Sequence, residues 1–364
     1  MTRPTRRTIL KAGAGAAALG LLGARTAHAA APLRWGVVGT GGIANAMAGM
    51  IKLAEGAELA AVSSRRMETA QEYARRHGVA ASFDSWADMS ASDKVDAIYV
   101  ATPTSVKEEI CIAAASNGKH VLCEKPLASQ ASTKRIIAAC RQHDVAFMDG
   151  THFVHHPRTL DIKARRDERL GDPWSVASAF QFNLKDRGNI RFNTELEPMG
   201  AIGDAGWYNM RAAVEYLPPE AELVQVSAYL RRDPQTGAAI SGSGVLQFSN
   251  GASSTWNCGF DSGAVVMDLR IAGPRGVITI DNFLSQDADG SASFLYKGGG
   301  WGPSATRETI TIPSNKPGAA LMFEDLGHAA RDAGQREQWM RASEKTQAWL
   351  DAAWASALAN EKGR

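Results

Sequence analysis

Three short segments of this 364-residue chain carry residue types that can do chemistry. The first, Gly39-Thr40-Gly41-Gly42-Ile43-Ala44, has the GxGxxA spacing of a turn that approaches a pyrophosphate. The first glycine makes the tight turn, the second lets the backbone come close, and Ala44 permits close helix packing, while amides at the helix start hold phosphate oxygens. About 20 residues further on, an NAD site places a carboxylate on the ribose hydroxyls. This chain has Ser63-Ser64-Arg65-Arg66 there, and two guanidiniums suit a 2′-phosphate, so NADP is the expected cofactor. In the second segment, the apolar run His120-Val121-Leu122-Cys123 ends in Glu124-Lys125-Pro126, where a doubly wound sheet delivers ligand-facing residues. A salt bridge to a basic group accounts for Glu124 better than for Lys125. The expected cofactor contacts are Gly39, Thr40, Gly41, Gly42, Ile43, Ser64, Arg65, Arg66, Ala101, Thr102, Pro103, Glu124 and Lys125. The third segment, around Asp204 and Tyr208, is taken up below.

Such residues need a scaffold, and the pattern supplies one. From Leu33 to Gly150, short β-rich runs alternate with amphipathic helical stretches, which predicts an α/β Rossmann domain with a doubly wound parallel sheet. The expected strands are Arg34 to Val38, Leu59 to Val62, Ala97 to Val100, His120 to Cys123 and Ala146 to Met148, with helices over Ala70 to His77 and Ser132 to His143. After Gly150 the pattern changes. Trp174 to Phe180, Leu223 to Leu230, Gly244 to Phe248, Ser253 to Cys258, Val265 to Ala272 and Val277 to Ile280 read as strands, several of them alternating. This predicts an α+β domain with a largely antiparallel, open-faced sheet, covered on its other face by helices over Thr159 to Arg169 and Gly206 to Tyr216. A last helix, Thr346 to Leu358, is expected to pack back on the first domain. The expected boundaries are a leader over 1–29, the NADP domain over 30–150, the substrate and oligomerisation domain over 151–340, and the terminal helix over 341–364.

The glycine turn and Glu124-Lys125-Pro126 resemble the glucose-fructose oxidoreductase, inositol dehydrogenase and rhizopine catabolism superfamily, over nearly all of the chain beyond the leader. Gly200-Ala201-Ile202-Gly203-Asp204-Ala205-Gly206-Trp207-Tyr208 is similar to its GGxxxDxGxY segment, with Met199 where the first glycine often stands. The resemblance implies a catalytic set of Lys125, Asp204 and Tyr208, and Tyr208 places the chain nearer sugar oxidoreductases and dihydrodiol dehydrogenases than inositol dehydrogenases bearing histidine. It also implies a homodimer or a dimer of dimers. Physical chemistry supports the roles separately, since oxidising an alcohol requires a group that takes the hydroxyl proton as hydride leaves carbon. Bringing a phenol from about 10 to neutrality takes roughly 4 kcal/mol of help from adjacent positive charge, which Lys125 and the oxidised nicotinamide supply. Asp204, four residues before Tyr208, shares its helical face and orients the substrate or the lysine. Without those partners, Tyr208 beside Trp207 reads as core packing.

His156 and Arg158, in Thr151-His152-Phe153-Val154-His155-His156-Pro157-Arg158, are further candidates to line the substrate site. Lys185, Arg187 and Arg191 read as a solvated basic loop rather than a clamp on substrate. No metal site is expected, because the histidines lack companion ligands and Cys111, Cys123, Cys140 and Cys258 lack CxxC spacing and read as buried thiols.

Composition is that of a globular enzyme, 45% hydrophobic and 21% charged, so neither disorder nor a fibrous chain is indicated. Thr5-Arg6-Arg7-Thr8-Ile9-Leu10-Lys11, the apolar run Ala12 to Gly23 and Ala27-His28-Ala29 resemble a twin-arginine leader cleaved after Ala29, which predicts a periplasmic protein without stable membrane association. Five of the 40 basic residues lie in that leader, and the remaining 35 face 38 acidic ones, so nucleic acid is not an expected partner. The function expected is transfer of hydride between sugars on retained NADP, one aldose becoming a lactone and a second carbonyl sugar an alditol. The alternatives are a dehydrogenase of sugars or dihydrodiols using exchangeable NADP, and a non-catalytic sugar-binding protein that carries NADP.

Overall fold

The structure, a computed structural model, describes residues 31–362, so the leader expected over residues 1–29 lies outside the described residues. Its first half is built from β1 (Leu33–Val38), α1 (Gly42–Leu53), β2 (Ala57–Ser63), α2 (Met67–His77), β3 (Ala81–Phe83), α3 (Trp86–Ala91), β4 (Ala97–Val100), α4 (Lys107–Ser116), β5 (His120–Cys123), α5 (Gln130–Gln142) and β6 (Phe147–Asp149). The six strands pair in parallel in the order β3-β2-β1-β4-β5-β6. Continuous apolar runs such as Ala97–Val100 are buried on both faces, as a sheet sandwiched by helices requires. The expected strands all occur. The three-residue β3 is an addition, too short and too half-buried to stand out in the sequence.

The second half follows as α6 (Pro157–Ala164), α7 (Arg166–Arg169), β7 (Ser175–Asn183), α8 (Gly200–Asp204), α9 (Gly206–Tyr216), and then strands β8 (Leu223–Arg232), β9 (Ala239–Phe248), β10 (Ser253–Gly259), β11 (Asp261–Ala272), β12 (Gly276–Ile280), β13 (Ala292–Gly298) and β14 (Thr306–Ile312). They form one sheet, β14-β13-β12-β11-β7-β10-β9-β8, antiparallel except where β7 runs parallel to β10. One face carries α9, buried through Trp207, Met210, Ala212 and Ala213. Strands β13 and β14 were not expected. Exposed Thr306, Arg307, Glu308 and Thr309 hide the apolar alternation of this edge strand.

Two helices close the chain, α10 (Gly318–Ala329) and the 30-residue α11 (Ala333–Lys362). They overturn the expected boundary at residue 340. Phe323 of α10 packs edge-on against Trp35 at 4.9 Å and Tyr99 at 5.5 Å, in the core of the first sheet. The longer α11 begins earlier than expected and bridges both halves, since Ser343 donates to Asp149 at the end of β6 while Ser356 accepts from the Ala228 amide of β8. The four cysteines are buried thiols. Among the described residues, no helix is long and apolar enough to cross a membrane and no group of three or more metal-ligating side chains gathers.

Candidate functional site

The sheet order reverses between β1 and β4, and ligands of open α/β sheets lie in the crevice at such a point. Gly39 follows β1 with φ of +102°, and a Cβ there would stand 2.9 Å from the Ala101 carbonyl oxygen, so only glycine fits. Gly41 and Gly42 open α1, with no heavy atom within 4 Å of a Cβ built on either, so the helix start is bare toward the crevice. Thr40 precedes them, and Ile43 is exposed beside them. At the end of β2, the Ser64 amide is held by the Phe83 carbonyl, while Arg65 and Arg66 are exposed and neither guanidinium has an ion pair among the described residues. Ala101, Thr102 and Pro103 follow β4, and Thr102 Oγ1 is buried without a partner. A turn that admits no side chain, an orphaned hydroxyl and two uncommitted cations fit a dinucleotide bearing a 2′-phosphate.

From β5 the chain passes through Glu124 into a cis Lys125–Pro126 bond, whose Pro126 carbonyl accepts from buried Lys107 at 2.8 Å. Lys125 Nζ leaves the Rossmann half and donates to Asp204 Oδ1 at 2.6 Å and to the Asp204 carbonyl at 3.1 Å. The other carboxylate oxygen, Oδ2, lies 2.9 Å from Arg191 Nε, a charge contact rather than an aligned hydrogen bond. Asp204 ends α8, which starts at Gly200 with φ of +49°, where a Cβ would stand 2.4 Å from the Ala239 carbonyl. That glycine is therefore required, whereas Met199 sits at an ordinary φ of −92°. Burial works against both charges of the pair. Even so, Lys125 and Arg191 hold the Asp204 carboxyl well below the usual carboxylate range, and Asp204 holds the Lys125 ammonium above its ordinary value.

Tyr208 projects from the next turn, α9, with Lys125 Nζ 4.8 Å from its ring centroid. Phe180, His152 and Phe153 surround the ring, with centroids at 5.5, 5.8 and 6.4 Å. Its hydroxyl has no partner among the described residues and is not sealed from solvent. Lys125 alone does not bring the phenol down: burial among these rings pushes it up to about 12, and Lys125, pulling it down, offsets only part of that, with Glu124 and Asp204 pushing up as well. Glu124 takes no salt bridge among the described residues. Its carboxylate accepts from Tyr99 Oη at 2.6 Å, and burial raises its pKa.

The structure brings Lys125, Asp204 and Tyr208 together but gives His156 and Arg158 another task. His156 Nδ1 caps α6 by accepting from the Arg158 amide, and its Nε2 meets the Gly290 carbonyl at 3.0 Å. The buried Arg158 guanidinium donates to the Phe283 carbonyl at 2.7 Å and borders those of Asn282, Ser285 and Ser293. Both are consumed in fastening α6 to the β12–β13 connection instead of lining the site, because their polar atoms are nearly all spoken for. The basic loop divides. Lys185 is exposed, Arg187 pairs with Asp233 at 2.8 Å, and Arg191, expected in solvent, reaches Asp204. His152, which had no assigned role, lies against Tyr208. Neither was visible beforehand, since the 12 residues between Arg191 and Asp204 carry no period that joins them.

Comparison with known proteins agrees with this fold. Residues 33–151 match the model of an oxidoreductase family with an NAD-binding Rossmann fold, and residues 162–279 match the GFO/IDH/MocA C-terminal domain. A scyllo-inositol 2-dehydrogenase (NADP(+)) of Bacillus subtilis is 34% identical over 309 residues, covering 80% of this chain and 86% of that protein. A dTDP-3,4-didehydro-2,6-dideoxy-alpha-D-glucose 3-reductase of Actinomadura kijaniata is 31% identical over 63% of this chain and 69% of its own. Among solved structures, aldose-aldose oxidoreductase from Caulobacter crescentus shares the fold with a TM-score of 0.80 at 23% identity, covering 92% of this chain and 98% of that one.

Proposed function

Because the chain belongs to the GFO/IDH/MocA oxidoreductase family, we propose that it transfers hydride between sugars and NADP, with Tyr208 as acid/base, Lys125 as its electrostatic partner and Asp204 as the anchor of Lys125. The observation that carries this is the convergence of Lys125, from the end of β5, with Asp204 of α8 and Tyr208 of α9 onto one point. Arg65 and Arg66 hold the 2′-phosphate, and the bare turn from Gly39 to Ile43 holds the pyrophosphate. When bound, the nicotinamide supplies the hydride acceptor or donor. Tyr208, protonated at neutral pH, gives its proton to the oxygen of a sugar carbonyl during reduction. In the oxidative direction it takes the hydroxyl proton, and the Lys125 ammonium over the ring offsets the negative charge that develops there. Asp204 keeps that ammonium in place, and Arg191 keeps Asp204 ionised.

The finer reading is export by the twin-arginine route with NADP retained. Free NADP is not expected outside the cytoplasm, so oxidation of an aldose to its lactone is followed by reduction of a second carbonyl sugar on the same cofactor. Retention through many turnovers asks for nanomolar affinity or better, about −12 kcal/mol. The leader-like segment before Ala30 supports this reading. A second reading, a sugar dehydrogenase with exchangeable NADP, is favoured by the NADP(+)-dependent dehydrogenases among the relatives, including a D-xylose 1-dehydrogenase (NADP(+)) 2 of Haloferax volcanii at 30% identity. The absorbance spectrum of the purified, desalted protein, with and without excess glucose, separates the two. A reduced-nicotinamide band that grows with sugar and no added nucleotide is expected of the retained cycle. Protein free of nucleotide sinks that cycle and leaves the exchangeable dehydrogenase.

A further inference from the structure

Three histidines fall in a single turn after β6, residues 152–156, and the fold uses two of them as fasteners. His155 Nδ1 is bound to Asp325 Oδ2 of α10 at 2.6 Å, and its ring lies 4.6 Å from that of Trp339 of α11. Both ring nitrogens of His156 are engaged, one by the Arg158 amide and one by the Gly290 carbonyl. His152 is different. Neither of its ring nitrogens has a partner among the described residues, neither is sealed from solvent, and its ring centroid stands 5.8 Å from that of Tyr208. It therefore stands beside the phenol that must exchange a proton, with ring nitrogens that are uncommitted and reached by solvent.

We propose that His152 is the proton exit of the site. The inference rests on Tyr208 being the acid/base. In oxidation the hydride leaves the sugar carbon with its electron pair, and the hydroxyl proton passes to the Tyr208 oxygen. Tyr208 must then lose that proton before the next turnover. It goes, directly or through one water, to one ring nitrogen of His152 while the proton on the other ring nitrogen leaves to solvent, so the imidazole ends neutral; reduction runs the same path inward. The titratable groups facing His152 are Lys125 from the end of β5, Tyr208 from α9 and His155 from its own turn, with the Gly318 backbone of α10 against its carbonyl. Burial, then Lys125, then His155 push its pKa down to about 4. At working pH such a ring is neutral and keeps one nitrogen free to accept a proton.

The test uses the holoenzyme. His152→Ala should lower kcat for sugar-dependent nicotinamide reduction about 100-fold with KM and NADP binding kept, and added imidazole should restore it in proportion to its concentration. His152→Gln should keep the fold and stay slow without imidazole. Loss that imidazole does not restore, or a raised KM with kcat intact, overturns the relay and makes His152 a packing or substrate-contact residue. A measurement without sugar separates this from the function assigned above: in ring-nitrogen NMR, His152 should remain neutral between about pH 5 and pH 8, and Lys125→Met should move its titration upward. A His152 titration that does not move in Lys125→Met places the ring away from the reacting groups and overturns the proposal whatever the substrate. Wild-type enzyme that no sugar can reduce sinks the sugar assignment instead.

Discussion

Two buried charge clusters, centred on Asp204 and Arg211, sit on the α8–α9 segment, and they are built differently. Around Arg211, the guanidinium donates to Asp149 Oδ2 at 2.6 Å and Glu215 Oε1 at 2.8 Å, Lys163 pairs with Glu215, and Ser343 and Thr151 complete the bonding of Asp149. Two cations answer two carboxylates, and every member is bonded. Around Asp204, two cations, Lys125 and Arg191, converge on one carboxylate, and a phenol with a free hydroxyl stands beside them. A balanced, saturated cluster can only fasten elements together, here α9 to the end of β6 and to α11. A cluster with a surplus cation beside an unbonded hydroxyl has something left to give, namely stabilisation of negative charge that appears on oxygen during reaction. Trp207, next to Tyr208 in α9, joins the fastener through its indole, which donates to Thr151 Oγ1 at 2.6 Å.

The contrast can be broken most severely at Tyr208. Tyr208→Phe should cut hydride transfer by about 100- to 10,000-fold with NADP affinity and unfolding temperature unchanged, read by stopped-flow absorbance and calorimetry. A mutant within threefold of wild type removes Tyr208 from the chemistry. On the other cluster, Arg211→Leu leaves two buried carboxylates without their shared cation and should cost about 3–5 kcal/mol of stability in urea unfolding. A loss below 1 kcal/mol would mean that the network is not the fastener. The finest test is Arg191→Ala, which turns the surplus into a one-to-one pair. Arg191 lowers the Tyr208 pKa, so its removal should raise it. Oxidation needs Tyr208 deprotonated, so its rate rises with pH toward about 12, and in the variant this rise should move to still higher pH with about a tenfold loss at a fixed pH. An unchanged pH profile would assign Arg191 to structure alone.

Where sequence reading failed, the cause was long-range and polar. Arg158 is an arginine beside a histidine near the mouth of a domain, which looks like a substrate contact until its carbonyl partners at Asn282 and Phe283, more than a hundred residues on, are known. Arg191 looked like solvent decoration for the same reason in reverse. Phe323 belonged by position to the second half and by packing to the first, because an apolar residue in a helix declares that it will be buried without declaring against what.

What the amino-acid order determined alone was everything with a short period or a steric demand. The alternation of strands and helices, the glycine turn at Gly39 and the missing carboxylate before Arg65 all follow from contacts within about 20 residues. Only the tertiary structure decided which cations meet Asp204, that Tyr208 is pushed up rather than down by its burial, and that one histidine of three is left facing the site. Those outcomes depend on desolvation and on charge contacts between groups far apart in the chain. Such energies are set by the distance and the solvent exposure of the folded groups, and neither is written in their spacing along the sequence.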